Sequence, residues 1–252
     1  MSQKPSCLTS RRHFIKSSGI TALSAPFVTS GLLADPPSER LRHASFGASG
    51  MAGADIGSLS RSKHFELAAV ADVDLKRAEG IRKRFPKAKF YQDWRELLDK
   101  ESKNIDSVNV STPDHMHGPI GLAAMDLGKH CYGQKPLAQN LRECRAMAEM
   151  ARKNKLMTQM GIQISSAFTE RLVVSLVQSG AIGKVTRVHS FSSKKWGDMG
   201  PVPQKEDKIP EGFDWDLWLG VAKHSPYIAG YYHPGNWRKR RDFGTGTFGD
   251  MG

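Results

Sequence analysis

The stretch Leu41-Arg42-His43-Ala44-Ser45-Phe46-Gly47-Ala48-Ser49-Gly50-Met51-Ala52-Gly53 carries a strand-like run directly into a glycine-rich turn and on toward a helix. Such a turn lets backbone amides approach a pyrophosphate, whose charge the helix N-terminus favours. The dinucleotide fingerprint fits in two imperfect registers, Gly47, Ser49 and Ala52 or Ala48, Gly50 and Gly53, with small residues standing for some of the glycines. Glycines alone decide little, so the next strand matters more. It ends in Ala71-Asp72-Val73-Asp74, and Asp72 lies 25 residues after Gly47, where an acid accepts bonds from the hydroxyls of an adenosine ribose. The same carboxylate repels a 2′-phosphate and so favours NAD over NADP, while Lys76 and Arg77 keep NADP open.

Outward from this unit, short strands and amphipathic helices alternate. Strands are predicted from Leu41 to Phe46, Glu66 to Ala71, Ile105 to Val110, His130 to Tyr132 and Leu156 to Met160. Helices are predicted from Leu75 to Phe85, Trp94 to Lys100, Pro119 to Leu127 and Leu141 to Asn154, the second capped by Asp93. Strict alternation predicts an α/β fold, a doubly wound parallel sheet forming a Rossmann domain over residues 35–160. Leu67-Ala68-Ala69-Val70-Ala71 has the unbroken apolar character of a central strand; Val108-Asn109-Val110 has it only in part. After Gly161 the texture changes. A helix candidate from Ala167 to Ser179, a strand-like run from Val185 to Phe191 and a segment rich in Trp, Tyr, Gly and Pro read as the start of a second domain over residues 161–252.

The 252 residues carry 37 Lys plus Arg against 25 Asp plus Glu, a formal charge of +12. A hydrophobic share of 39% and a mean hydropathy of -0.45 exclude a polytopic membrane protein and a wholly disordered chain. With 3 Cys there is no disulfide framework, and Cys131 and Cys144 read as small buried hydrophobes. Four of the positive charges, Lys4, Arg11, Arg12 and Lys16, fall in residues 1–34, which hold no acid, so the remainder carries +8. There Ser10-Arg11-Arg12-His13-Phe14-Ile15-Lys16 precedes an uncharged small-residue stretch too short and weakly apolar for a permanent anchor. It resembles a twin-arginine signal peptide, with Leu32-Leu33-Ala34 as an imperfect cleavage site. The resemblance implies the twin-arginine export machinery as a partner and a periplasmic location. The single basic run Arg238-Lys239-Arg240-Arg241 reads as a solvated loop face, so nucleic acid is not expected.

The third strand delivers Ser111-Thr112-Pro113-Asp114-His115-Met116-His117 to the carboxyl edge of the sheet, where doubly wound folds bind ligands. His115 and His117, two apart at a helix start, point away from each other, so no metal site is expected; Asp114 reads as the helix N-cap and His117 as a neighbour of the cofactor. This stretch, with Gly128-Lys129-His130-Cys131-Tyr132-Gly133-Gln134-Lys135-Pro136-Leu137-Ala138, resembles the Gfo/Idh/MocA oxidoreductase family, and the likeness runs from about Leu41 to the last residue. Motif and resemblance together assign NAD(P) to Gly47, Ala48, Ser49, Gly50, Met51, Asp72, Ser111, Thr112, Pro113, His115, His117, Gln134 and Lys135. By the resemblance, Lys135 lies beside the nicotinamide and the substrate hydroxyl, which a Lys can orient and acidify. The family usually carries Glu-Lys-Pro where this chain has Gln134-Lys135-Pro136, which removes a carboxylate beside Lys135.

The resemblance also implies a second domain with a large, mostly antiparallel sheet, giving substrate contacts and, in a full-length chain, homo-oligomer contacts. Asp214-Trp215-Asp216-Leu217-Trp218-Leu219-Gly220 and Tyr231-Tyr232-His233-Pro234-Gly235-Asn236-Trp237-Arg238 resemble its loop segment. Their aromatic and amide groups suit sugar-like ligands, which makes Trp237 and Arg238 candidate substrate contacts beside Lys135 and Asp250. Gly244-Thr245-Gly246-Thr247-Phe248-Gly249-Asp250-Met251-Gly252 resembles the stretch that supplies a catalytic Asp, matched by Asp250, and a His four residues later. That His would fall beyond Gly252, so the second domain reads as incomplete. The expectation is an exported NAD(P)-dependent oxidoreductase acting on a sugar-like or cyclitol hydroxyl, with Lys135 and Asp250 catalytic. The alternatives are an NAD-dependent glycosidase of the same family and a non-catalytic dinucleotide-binding fragment.

Overall fold

Six parallel strands, β1 (Leu41–Phe46), β2 (Phe65–Ala71), β3 (Lys89–Tyr91), β4 (Ser107–Val110), β5 (His130–Gln134) and β6 (Thr158–Gly161), lie in the order β3-β2-β1-β4-β5-β6. Chain direction around the sheet reverses between β1 and β4, the switch point at which such folds bind ligands. The computed structural model describes residues 39–197 and 200–251; the twin-arginine stretch lies outside them. Residues from Arg40 onward cluster as one unit.

Both faces of the sheet are covered, and the strand sequences show why. Ala44 and Phe46 of β1 enter a core with Leu97, Val108, Val110, Ile120 and Met125, while Leu67 and Val70 of β2 pack on the other side with Ile56, Ala78 and Ile81. The helices are α1 (Met51–Leu59), α2 (Leu75–Arg84), α3 (Trp94–Glu101), α4 (His117–Asp126) and α5 (Leu141–Lys153). Side-chain caps start three of them: Asp74 accepts from Arg77 N, Asp93 from Arg95 N and Asn140 from Glu143 N.

Several details differ from the sequence reading. The three-residue edge strand β3 was not predicted, being too short to show a period. Helix α4 begins at His117, two residues before Pro119, because proline is tolerated in a first turn whose N–H groups lack intrahelical partners. Asp114 does not cap it; its carboxylate accepts from Thr245 N and Oγ1 at 3.0 and 2.8 Å.

Beyond Gly161 the described residues contain no strand, so the antiparallel sheet expected of the second domain is not formed there. The run 185–191 has no regular structure and is exposed, since a strand exists only through a ladder partner and none of the described residues pairs with it. Helix α6 (Phe168–Gln178) likewise buries no residue. Residues 212–251 instead fold back onto the Rossmann sheet, with helices α7 (Trp215–Leu219) and α8 (Gly246–Met251). Leu75 N bonds Gly212 O, Asp214 N bonds Val73 O, and Asp74 and Phe213 form an antiparallel bridge. Behind this seam Phe213, Trp215, Trp218, Tyr227, Tyr232, Trp237 and Phe243 make a second, aromatic core.

Two histidines are sealed into these cores. Burial pulls His43 and His115 each from the usual 6.5 to about 4, against the hydrogen bonds that favour their charged forms. Their folded values lie below the unfolded one, so the stability they confer is present above pH 6.5 and is lost as pH falls toward about 4. Chemical-denaturation midpoints measured across that window are expected to fall steadily, and His43→Gln is expected to flatten part of the slope.

Candidate cofactor and active site

The turn after β1 works only with glycine at two positions. Gly47 has φ +103°, and a Cβ there would lie 2.9 Å from Ala52 Cβ and 3.0 Å from Ser111 O; Gly50, the N-cap of α1, has φ +58°. The structure therefore uses Gly47 and Ala52 of one register with Gly50 of the other, and the Ala52 methyl fills the space against Gly47. Asp72, at the end of β2, holds the turn in place. Its Oδ2 accepts from Ala48 N at 2.8 Å and its Oδ1 from Asp74 N at 2.9 Å. A carboxylate oxygen offers two lone pairs, so each keeps one for a ribose hydroxyl. Burial pushes this carboxyl up, against the two backbone bonds and the Arg77 charge.

From the turn a cleft of about 210 Å³, partly open to solvent, runs along the carboxyl edge of the sheet. Ser49, Asp72 and Arg77 mark one end; Gly47, Gly50, Met51 and Ser111-Thr112-Pro113 form the middle; Gln134, Lys135, Trp237 and Arg238 mark the other. Trp218 and His233, from the aromatic core, wall the cleft. Arg77, which with Lys76 keeps NADP open, donates from Nε to Ser49 Oγ at 3.0 Å. Ala48, His115 and Asp250 contribute no surface to the cleft, and Asp250 reaches it only through Lys135. Ala48 acts through its backbone N–H, and His115, expected at the cofactor, is instead 2% exposed between Trp218 and Phe243 with Nε2 on Trp218 O at 3.0 Å. His117 lines the cleft, but its ring nitrogens face Pro136 O and Thr112 O at 2.7 and 2.8 Å, leaving neither for a metal.

At the far end, the fold brings together two residues 115 apart in sequence. Lys135 Nζ donates to Asp250 Oδ1 at 2.5 Å and to Asp250 O at 2.7 Å. Trp196 Nε1 donates to Asp250 Oδ2 at 3.0 Å, and Arg238 Nε lies 3.5 Å from Oδ1 with its guanidinium over the Trp237 ring. Arg238 is thus an inward residue of the site and not part of a solvated face. Burial raises the Asp250 carboxyl, but the bond and charge of Lys135, the charge of Arg238 and the Trp196 bond outweigh it and leave the group below the ordinary range. A cation held against a carboxylate in a half-buried corner can orient a hydroxyl and move its proton. Nothing near position 196 in the sequence signals Trp196. Asp55 was also passed over, although an acid on the face of α1 that buries Ala52 and Ile56 is a readable anomaly.

The comparison with known families bears on this geometry. The Gfo/Idh/MocA model, described as an oxidoreductase family with an NAD-binding Rossmann fold, matches residues 41–162. Over that domain the chain is similar to the Gfo/Idh/MocA oxidoreductase family. Levoglucosan dehydrogenase of Pseudarthrobacter phenanthrenivorans is 26% identical over 127 residues, 50% of this chain and 32% of that protein. Alpha-N-acetylgalactosaminidase of Shewanella oneidensis is 26% identical over 206 residues, 69% of this chain and 44% of that enzyme. The scyllo-inositol dehydrogenase of Lactobacillus casei, solved with NAD(H) and scyllo-inositol, shares the fold with a TM-score of 0.53 at 19% identity, over 58% of this chain and 43% of that one. The chain spans less than half the length of these relatives.

Proposed function

We propose that this chain is a Gfo/Idh/MocA-type NAD-dependent oxidoreductase acting on the CH–OH group of a sugar-like or cyclitol substrate. The observation that carries this is the Lys135–Asp250 pair at the end of a cleft that begins in a glycine cradle and an acid. Gly47, Gly50, Asp72 and Ser111-Thr112-Pro113 would hold NAD, which supplies the redox chemistry when bound. Lys135 orients the substrate hydroxyl, and Asp250 fixes the ammonium and assists removal of the proton. Trp237 lines the cleft with little exposed surface, and the Arg238 guanidinium over its ring offers donors to a sugar hydroxyl. Asp72 disfavours a 2′-phosphate, and Arg77 leaves NADP as the weaker cofactor. Residues 1–34 act as a twin-arginine signal that takes the folded protein to the periplasm, a reading that fusion of this segment to a reporter would test.

Titration with NAD and NADP, followed by nicotinamide absorbance with a panel of polyols and free sugars, tests the assignment. NAD binding and steady reduction are expected. Asp72→Asn is expected to weaken NAD roughly tenfold and to narrow its advantage over NADP, since the lost bonds run to a charged acceptor. Failure to bind either dinucleotide sinks the proposal. A second reading, a glycosidase using bound NAD transiently, draws on the 206-residue match to alpha-N-acetylgalactosaminidase. It predicts glycoside cleavage with no net change in nicotinamide absorbance.

A further inference from the structure

Asp55 has no part in the reading above, yet its carboxylate is 7% exposed and two hydrogen-bonded chains end on it. In both, the donors run toward the carboxylate. In the first, Asn109 Nδ2 donates to Ser111 Oγ at 2.8 Å, so the Ser111 hydroxyl donates to Asp55 Oδ2 at 2.7 Å. Upstream, Asn109 Oδ1 accepts from His43 Nε2 at 2.9 Å, and His43 Nδ1 accepts from Ser107 Oγ at 2.8 Å. In the second, Gln163 Nε2 donates to Gln134 Oε1 at 3.1 Å, and Gln134 Nε2 donates to both Asp55 oxygens, at 2.8 and 3.0 Å. Burial raises the Asp55 carboxyl, and the two donors, Ser111 and Gln134, act against it in favour of the ionised form. Ser111 and Gln134 line the cleft, and Gln134 is joined directly to Lys135.

We propose that Asp55 is a positioning residue of the cleft, a buried carboxylate that locks the Ser111 hydroxyl and the Gln134 amide and so sets the backbone that carries Lys135. The role rests on the reading of the Lys135 end as the reactive one. It explains why position 134 is an amide in this chain: a carboxylate there would face Asp55 at the distance the amide now occupies, and two like charges so close must share a proton. The site accommodates one charge, at 55 or at 134. The other titratable groups around the pair are the Tyr132 hydroxyl, which burial and the Asp55 charge raise, Lys135 next along β5's exit, and His43 between Ser107 and Asn109 in the first chain.

Melting temperatures of the full chain from pH 5 to 9, for wild type, Gln134→Glu, Asp55→Asn and the double variant, test the pairing without any ligand. Gln134→Glu is expected to melt roughly 5 °C below wild type at pH 8. The gap closes toward pH 5, where the two carboxyls share a proton. The double variant, with its charge moved from 55 to 134, regains most of the loss and its flat pH response. NAD titration below all four melting ranges tests the positioning role, with about tenfold weakening expected in each single variant and near-wild-type affinity in the double. A Gln134→Glu variant that melts like wild type at every pH, or a double variant no better than the singles, overturns the pairing. Variants that melt as expected but bind NAD like wild type overturn the positioning role. If wild type binds no NAD, the functional reading fails, and the melting series by itself upholds or overturns the pairing.

Discussion

Replacing Lys135 with Met is expected to lower turnover by roughly 10²–10⁴-fold, the usual contribution of a positioned proton-transfer group, while NAD affinity changes by less than about threefold. The split follows from the geometry. Both hydrogen bonds of the ammonium run to Asp250, through its side chain and its carbonyl, and neither runs to the glycine turn or to Asp72. Methionine keeps the length and apolar stem of lysine, so the corner stays filled and the loss is chemical. The substitution also changes how Asp250 titrates. With Lys135 present its carboxyl lies below the usual carboxylate range, so the pair stabilises the fold above that range and the contribution is lost as pH falls through the folded value. Without Lys135, burial acts against Arg238 and Trp196 only, and the carboxyl moves up. Stopped-assay turnover paired with an NAD titration checks the claim, and turnover within tenfold of wild type would remove Lys135 from the chemistry.

Trp218→Ala is expected to cost about 3–5 kcal/mol, enough to lower the melting temperature by roughly 6–20 °C in a domain of this size. Trp218 is 3% exposed and stacks on Trp215 with ring centroids 4.7 Å apart and planes 12° from parallel. Phe243 packs at 4.8 Å, and His115 lies 5.7 Å away with its Nε2 on the Trp218 carbonyl. Truncation therefore opens a cavity in the middle of the aromatic core and exposes it to the cleft that the indole walls. Trp218→Phe keeps part of the stacking and is expected to lose less than half as much. Thermal unfolding followed by circular dichroism distinguishes this from a surface role, in which both variants would melt with wild type.

Legibility from sequence varied with the kind of physics involved. Strand β1 and the cap Asp93 depend on neighbours within a few residues, and the structure has them where local rules put them. The partly polar β4 was also readable in principle. Ser107, Asn109 and Ser111 alternate with Val108 and Val110, and His43 and Ser45 alternate with Ala44 and Phe46, so one sheet face is apolar and the other carries hydrogen-bonding groups. What alternation does not say is where those groups find partners. Asp55 takes up Ser111 from 56 residues away, and Gln134 meets the same carboxylate across 79. Val185 to Phe191 failed for the converse reason: β-propensity marks a segment able to pair, and pairing needs a partner strand.

By itself the sequence determined the doubly wound sheet, the glycine turn at Gly47 and Gly50 and the acid at Asp72, because periodicity, positive φ and strand-end placement are local properties. Only the tertiary structure decided that Lys135 meets Asp250, that Asp114 ties down Thr245 instead of capping a helix, and that His115 belongs to an aromatic core and not to the cofactor cleft. Each of these is a contact between distant parts of the chain, set by how residues 212–251 pack on the sheet edge, and no window of neighbouring residues contains that information.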